Sequence, residues 1–225
     1  NFINLCLNKD LSAEITLQPI KRFDFDAAII FSDILMLPYG LNQKVEFKKN
    51  FGPMLGQINI NEISKISETD FVERICPVYK ALKKVSNNQI TNNRNTIGFV
   101  GAPWTLMIHI KNQIENGANV IQIFDSWAGL LQEKDLENYI YLPTLNLVNY
   151  VKSLNVPVIC FPREIKNYKK FCEIVRPDVV SIDYNVDPKQ ILKDIQIPIQ
   201  GGLDPKVLLS DKENLKKETI KYLDI

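Results

Sequence analysis

Residues 26–35, D-A-A-I-I-F-S-D-I-L, set a carboxylate between two apolar runs. Ala27 to Phe31 reads as a buried strand. Ser32 and Asp33 end it, and apolar residues resume at Ile34 and Leu35. A carboxylate is costly to bury without partners. Asp33 is therefore either a strand-end group bonding the next turn or a working acid or anion. Ordinary strand ends favour the first role. Similar polar or small residues close five further apolar runs: Gly101-Ala102-Pro103, Asp125-Ser126, Pro162-Arg163, Asp183-Tyr184 and Gly201-Gly202-Leu203-Asp204. Asp125 and Asp183 read as framework hydrogen-bonding groups. Ser126 divides evenly between a turn cap and a ligand contact. Arg163 is an available cation. Gly201-Gly202 is a weak signal for an anion-binding nest. The single histidine, His109, reads as a surface or interface residue, and Trp104 and Trp127 read as packing residues.

The elements that must position these groups are short and apolar. Runs at 26–31, 97–101, 119–125, 156–161, 178–184 and 197–201 are rich in Val, Ile and Phe, as strands buried on both faces are. Helix-like segments lie between them. Residues 10–23 open with Asp10 or Ser12 as the expected cap. Residues 69–86 carry Phe71, Ile75, Val78, Tyr79 and Leu82 at helical spacing. Residues 134–154, 164–176 and 205–223 follow the same logic, the last as one helix or a pair. The stretch 40–68 is a long connection in which V-E-F at 45–47 could form a hairpin strand. The polar tract 87–95 reads as a surface loop.

Alternating strands and helices imply a parallel α/β fold, either an open doubly wound sheet or a (β/α)8 barrel. No glycine-rich nucleotide-binding fingerprint follows any strand, which removes support from the nucleotide-binding open sheets. In a barrel the strand ends would share one rim, where active sites lie. Six strands do not close such a barrel. The reading is one barrel domain over residues 1–225, with a first and a last strand and one internal segment, near Met107–Lys111, expected to be absent.

Of the 225 residues, 45% are hydrophobic and 24% are charged, as in ordinary globular chains. No apolar run approaches the roughly 18 residues of a membrane span, and no signal peptide is evident. A net charge of +1 points to neither nucleic acid nor a membrane surface. Cys6, Cys76, Cys160 and Cys172 are scattered without a C-x-x-C, as expected of free thiols in a reducing, cytoplasmic setting.

Five collinear segments resemble the uroporphyrinogen decarboxylase family: A-E-I-T-L-Q-P-I-K-R-F at 13–23, D-A-A-I-I-F-S-D-I-L at 26–35, I-G-F-V-G-A-P-W-T-L at 97–106, Q-I-E-N-G-A-N-V-I-Q-I-F-D-S-W-A-G at 113–129 and Q-G-G-L-D-P at 200–205. The resemblance implies a (β/α)8 barrel acting as a homodimer, with no metal or organic cofactor. It implies removal of carbon dioxide from the four acetate side chains of uroporphyrinogen III, giving coproporphyrinogen III. By the same resemblance Asp33 binds the pyrrole N–H groups, Ser126 contacts substrate, Phe2 matches a functional phenylalanine in a short helix entry, and Phe99, Phe124 and Trp104 match apolar positions in or near the cleft. A basic R-Q-A-G-R-Y segment would precede residue 1, and N-L-G-H-G would follow residue 225. A tyrosine expected in T-x-Y-M is not found after Leu106; His109 is assigned instead to the helix leading into Q-I-E-N-G-A. Gly202 stands where the family has Asn, and Glu164-Ile165-Lys166 where it has glycines.

Such a reaction needs an electron sink for the carbanion left by carbon dioxide. A pyrrole protonated at carbon supplies one, and a carboxylate against its N–H stabilises the developing charge. Asp33 has that chemistry, and Arg163 could meet a substrate carboxylate. Two other functions compete. A zinc-dependent methyltransferase of the same barrel type would need clustered His, Cys or acidic ligands, and the sequence has no H-x-C. A non-catalytic tetrapyrrole-binding protein is the other.

Overall fold

Phe71, Ile75, Val78, Tyr79 and Leu82 are all buried along one helix, Glu68–Ser86, as their spacing predicts. The computed structural model describes residues 2–48, 52–57, 59–101 and 106–223. The chain divides into two units, residues 1–122 with 154–156, and residues 123–153 with 157–225.

The first unit runs α1 (Phe2–Cys6), α2 (Lys9–Phe23), β1 (Ala27–Ile29), α3 (Met36–Gly40), β2 (Val45–Lys48), β3 (Gly52–Leu55), α4 (Ile60–Ile63), α5 (Glu68–Ser86), β4 (Asn95–Gly101) and α6 (Leu106–Glu115). Strand β5 (Val120–Asp125) contains the division. β1 pairs in parallel with β4, Ala28 opposite Thr96. β2 and β3 form the antiparallel hairpin expected around V-E-F, Val45 opposite Leu55. Helix α5 begins with a capping box in which the Ser67 hydroxyl accepts the Asp70 N–H and the Asp70 carboxylate accepts the Ser67 N–H.

Helix α2 starts earlier than the sequence reading placed it. Asn8, in extended conformation, is the cap, and its side chain accepts the N–H groups of Asp10 and Leu11. Asp10 instead lies in the first turn, where a carboxylate favours the helix dipole. Ser12 is buried inside the helix and serves another purpose, described below. His109 is also a correction. It belongs to α6, as assigned, but it is buried rather than superficial. Its Nδ1 lies 2.9 Å from the Tyr79 hydroxyl, which replaces the water it gives up. Burial pushes the imidazole pKa down to about 4.

The second unit carries α7 (Glu133–Leu136) and α8 (Leu142–Ser153), joined by a π turn at Glu137–Tyr141, then β6 (Val158–Pro162), α9 (Tyr168–Val175), β7 (Val179–Ile182), α10 (Pro188–Asp194), β8 (Ile199–Gly201) and α11 (Lys212–Leu223). β6, β7 and β8 pair in parallel, Cys160 opposite Val180 and Val180 opposite Ile199. The strand order of the parallel sheet is β1-β4-β5-β6-β7-β8. Its inner strands are buried at Ile97, Val100, Ile121, Ile123, Val158, Ile159, Val180 and Ile182, as a sheet covered on both faces requires, whereas the edge strands β1 and β8 are partly exposed, Ile29 by 46%, because each pairs on one side only. The segment 205–223 is a pair, a 3-10 turn at Pro205–Leu209 followed by α11.

Candidate active site

The residues after β1 are held from α2. The Ser12 hydroxyl donates to the Phe31 carbonyl at 2.7 Å, and the Phe31 N–H donates to the Thr16 hydroxyl at 2.8 Å. The Thr16 hydroxyl in turn donates to the Ser12 carbonyl at 2.7 Å. Ile30 continues the ladder by donating to the Ile97 carbonyl. Two hydroxyls one helical turn apart thus satisfy both main-chain groups of Phe31 and fix the start of the S-D step. Their signal was present in the sequence: polar residues at i and i+4 on the apolar face of a helix need partners.

Asp33 is half-buried. Its Oδ1 accepts the Leu35 N–H at 2.8 Å, and its carbonyl accepts the Met36 N–H at 3.0 Å, so it also shapes the entry to α3. Among the described residues Oδ2 accepts no hydrogen bond. The turn role read from the sequence is met by one carboxylate oxygen, and among the described residues the other is not used by the turn. Burial raises the Asp33 pKa above the ordinary carboxylate value, and the Leu35 N–H opposes that rise. Cys6 is close enough for the Asp33 charge to matter. Burial first, and then that charge, push its thiol up to about 11.

Phe2 is half-buried and packs on Phe31 and Phe47, with centroids 5.7 and 4.9 Å apart. Phe99 is half-buried on β4, and its carbonyl accepts the Gln113 side-chain N–H. Trp104 and Gly101's neighbours Ala102 and Pro103 lie outside the described residues.

In the second unit, Asp125 ends β5 as a framework group. Its Oδ1 accepts the Trp127 N–H, with a second bond from the Ala128 N–H, and burial raises its pKa against both. Asp125, not Ser126, therefore caps this turn. Ser126 is half-buried, and among the described residues its hydroxyl makes no hydrogen bond. Trp127 was expected to pack, but the residue is 59% exposed, because the Asp125 turn carries it outward. Phe124 meets Phe161 edge to face at 6.1 Å.

Arg163 follows β6. Its N–H donates to the Asp125 carbonyl, and its carbonyl accepts the Gly129 N–H, both at 3.0 Å. Its guanidinium is half-exposed and lies 3.1 Å from the Glu164 carboxylate. Glu164 adopts φ 63°, the left-handed region that a glycine occupies without strain. A Cβ at Gly129 would sit 2.5 Å from the Glu164 carbonyl oxygen, so that glycine is required by close approach. Gly202 has φ 99°, and the carbonyl of this turn accepts the Tyr222 hydroxyl.

Asp183 ends β7 and is buried. Its Oδ2 accepts the Glu164 N–H at 2.6 Å and the Tyr168 hydroxyl at 2.7 Å, while its own N–H donates to that hydroxyl. The framework role read for Asp183 holds, and Tyr168 is a partner the sequence did not reveal. Among the described residues no group of three His, Cys, Asp or Glu side chains could hold a metal ion, and no helix is long and apolar enough to cross a membrane.

With this geometry in hand, known proteins resemble the chain as follows. The family profile described as "Uroporphyrinogen decarboxylase (URO-D)" matches residues 1–111 and 107–225. The two matches meet where the internal segment was expected to be missing. Uroporphyrinogen decarboxylase of Rickettsia bellii is 36% identical over 267 aligned positions, covering all of this chain and 78% of the relative. That of Rickettsia canadensis is 34% identical, with the same coverage of both. Among solved structures, a methyltransferase from Methanosarcina mazei superimposes with TM-score 0.63 and 16% identity, over 97% of this chain and 88% of that one. This last likeness shows the fold alone.

Proposed function

The chain belongs to the uroporphyrinogen decarboxylase family, and we propose that it removes the four acetate carboxyl groups of uroporphyrinogen III, giving coproporphyrinogen III in haem biosynthesis, with no metal or organic cofactor. In this reading residues 1–225 are one barrel domain that works as a homodimer in the cytoplasm. Four free cysteines suit a reducing compartment.

Each decarboxylation begins with protonation of a pyrrole carbon. The bond between the acetate methylene and its carboxylate then breaks, carbon dioxide leaves, and the electron pair flows into the cationic ring. A second proton reaches the exocyclic carbon, which becomes a methyl group, and the ring carbon returns the first. Positive charge rises near the pyrrole nitrogen before the C–C bond breaks. A fixed carboxylate there stabilises the step without reorganising. Asp33 is catalytic in this scheme and also binds the pyrrole N–H groups. Those donors would pull its raised pKa back down on binding, since bonds to the charged form favour it. Phe2, Phe99 and Phe124 offer apolar surface to the macrocycle. Ser126 offers a hydroxyl that makes no hydrogen bond among the described residues, and Arg163 a cation for a substrate carboxylate.

The observation that carries this reading is the Asp33 carboxylate, whose Oδ1 the turn holds while its Oδ2 accepts no hydrogen bond among the described residues. The test is to incubate the full-length protein with uroporphyrinogen III under reducing conditions and to separate the products by carboxylate number. Species with seven to four carboxylates are expected. A folded protein that leaves the octacarboxylate intact would overturn the proposal. Stoichiometric, tightly held zinc would favour methyl transfer instead.

A further inference from the structure

The turn after β6 is built in an unusual way. Arg163 is bonded through both its main-chain groups to the Asp125–Gly129 segment, and Glu164 then takes a left-handed conformation that disfavours its side chain. A strained turn persists only where its surroundings over-determine it. Here the surroundings are two side chains. The buried Asp183 carboxylate takes the Glu164 N–H, and the buried Tyr168 hydroxyl both donates to that carboxylate and accepts the Asp183 N–H. Burial, with Asp183 beside it, pushes the Tyr168 pKa up, so the hydroxyl keeps the proton it donates. Ile165, buried next in sequence, seats the turn from its apolar side.

We propose that Tyr168 and Asp183 are positioning residues, which fix the Arg163–Glu164 turn so that the Arg163 guanidinium is aimed at a substrate carboxylate. Neither touches substrate; both act through the turn. The proposal rests on the function above, which makes Arg163 a carboxylate contact. Loss of the clamp lets Glu164 relax toward ordinary backbone angles, and Arg163, one residue earlier, moves with it. The consequence is weaker binding with little change in the chemical step, because the charge that drives decarboxylation sits at Asp33.

The test is a double-mutant cycle on the full-length protein with uroporphyrinogen III as substrate, using Arg163→Gln, Tyr168→Phe and the pair. Arg163→Gln is expected to raise KM by roughly 10-fold or more, as loss of a charge-assisted bond implies. Tyr168→Phe is expected to raise KM by roughly 3- to 10-fold with kcat nearly unchanged. The pair is expected to be no worse than Arg163→Gln alone, since both changes remove one interaction. Additive effects, or an unchanged KM in Tyr168→Phe, overturn the positioning role and leave the decarboxylase reading standing. An unchanged KM in Arg163→Gln overturns the carboxylate contact and the clamp with it. No turnover by the wild type overturns the function and, with it, the substrate on which the clamp acts. If Tyr168→Phe does not fold, Asp183→Asn replaces it in the same cycle, with the same outcomes deciding.

Discussion

After β1 the chain is held by side chains of a neighbouring helix, Ser12 and Thr16, which take both main-chain groups of Phe31. After β6 it is held by main-chain bonds to the preceding rim segment and by a buried carboxylate from the next strand. The first arrangement leaves the backbone unstrained and sets one donor on Asp33 Oδ1, with none on Oδ2 among the described residues. The second accepts a strained residue, Glu164, and sets two donors, the Glu164 N–H and the Tyr168 hydroxyl, on the Oδ2 of Asp183. Two aspartates at strand ends are thus each engaged through one oxygen, the half-buried Asp33 by one donor and the buried Asp183 by two. Composition does not distinguish them; the number of donors around each carboxylate does.

The largest stability effect is expected in the second region. Gly129→Ala drives a Cβ into the Glu164 backbone, which cannot swing aside as a side chain could. Overpacking of that kind costs up to about 3 kcal/mol, and thermal or urea unfolding would measure it. A loss near zero would mean that the two backbones approach less closely than described. In the first region, Thr16→Val orphans the Phe31 N–H. Its expected cost is about 1–2 kcal/mol, again read by urea unfolding, with reduced turnover because the Ser32–Asp33 step loosens. Glu164→Gly should go the other way and stabilise the chain by roughly 1 kcal/mol or less. It removes left-handed strain, while the half-exposed pair with Arg163 contributes little.

The smallest effect separates the two aspartates by pH. Burial raises the pKa of Asp33 above 3.8, so the native state keeps that proton to higher pH than the unfolded chain does. The native state binds more protons in that window, and stability falls as pH rises through it. Asp33→Asn should therefore melt slightly above the wild type near neutral pH, with the difference vanishing below pH 3.8. Melting curves across pH would show this. Asp183→Asn, by contrast, should melt below the wild type, because it weakens the acceptor of the Glu164 N–H and the Tyr168 hydroxyl.

Much of this was legible in the chain. The six apolar runs became strands because nearly continuous Val, Ile and Phe suit a sheet covered on both faces. Phe71 to Leu82 gave α5 because their spacing makes one buried face. Asp33 was legible because a lone acid between apolar runs is costly without a purpose. The rest depended on contacts between residues far apart in sequence. Asn8 displaced Asp10 and Ser12 as the cap because a cap must lie outside the helix, and Ser12 was needed by Phe31, 19 residues later. His109 was misjudged because its partner, Tyr79, is 30 residues away on another helix. The Tyr168–Asp183 clamp carries no local pattern, because its partners lie 15 residues apart in sequence, and a glutamate gives no sign of the left-handed backbone at Glu164.

The central claim is that the charge of Asp33, and not merely its place in the turn, supports decarboxylation. Asp33→Asn separates the two, since the amide oxygen still accepts the Leu35 N–H while the charge is gone. The measurement is single-turnover release of carbon dioxide from uroporphyrinogen III by the full-length protein and by this variant, each shown to be folded by its melting curve. The account predicts a rate lower by roughly 100- to 1,000-fold, the scale set by loss of one preorganised electrostatic group. A folded variant that decarboxylates at the wild-type rate would contradict it.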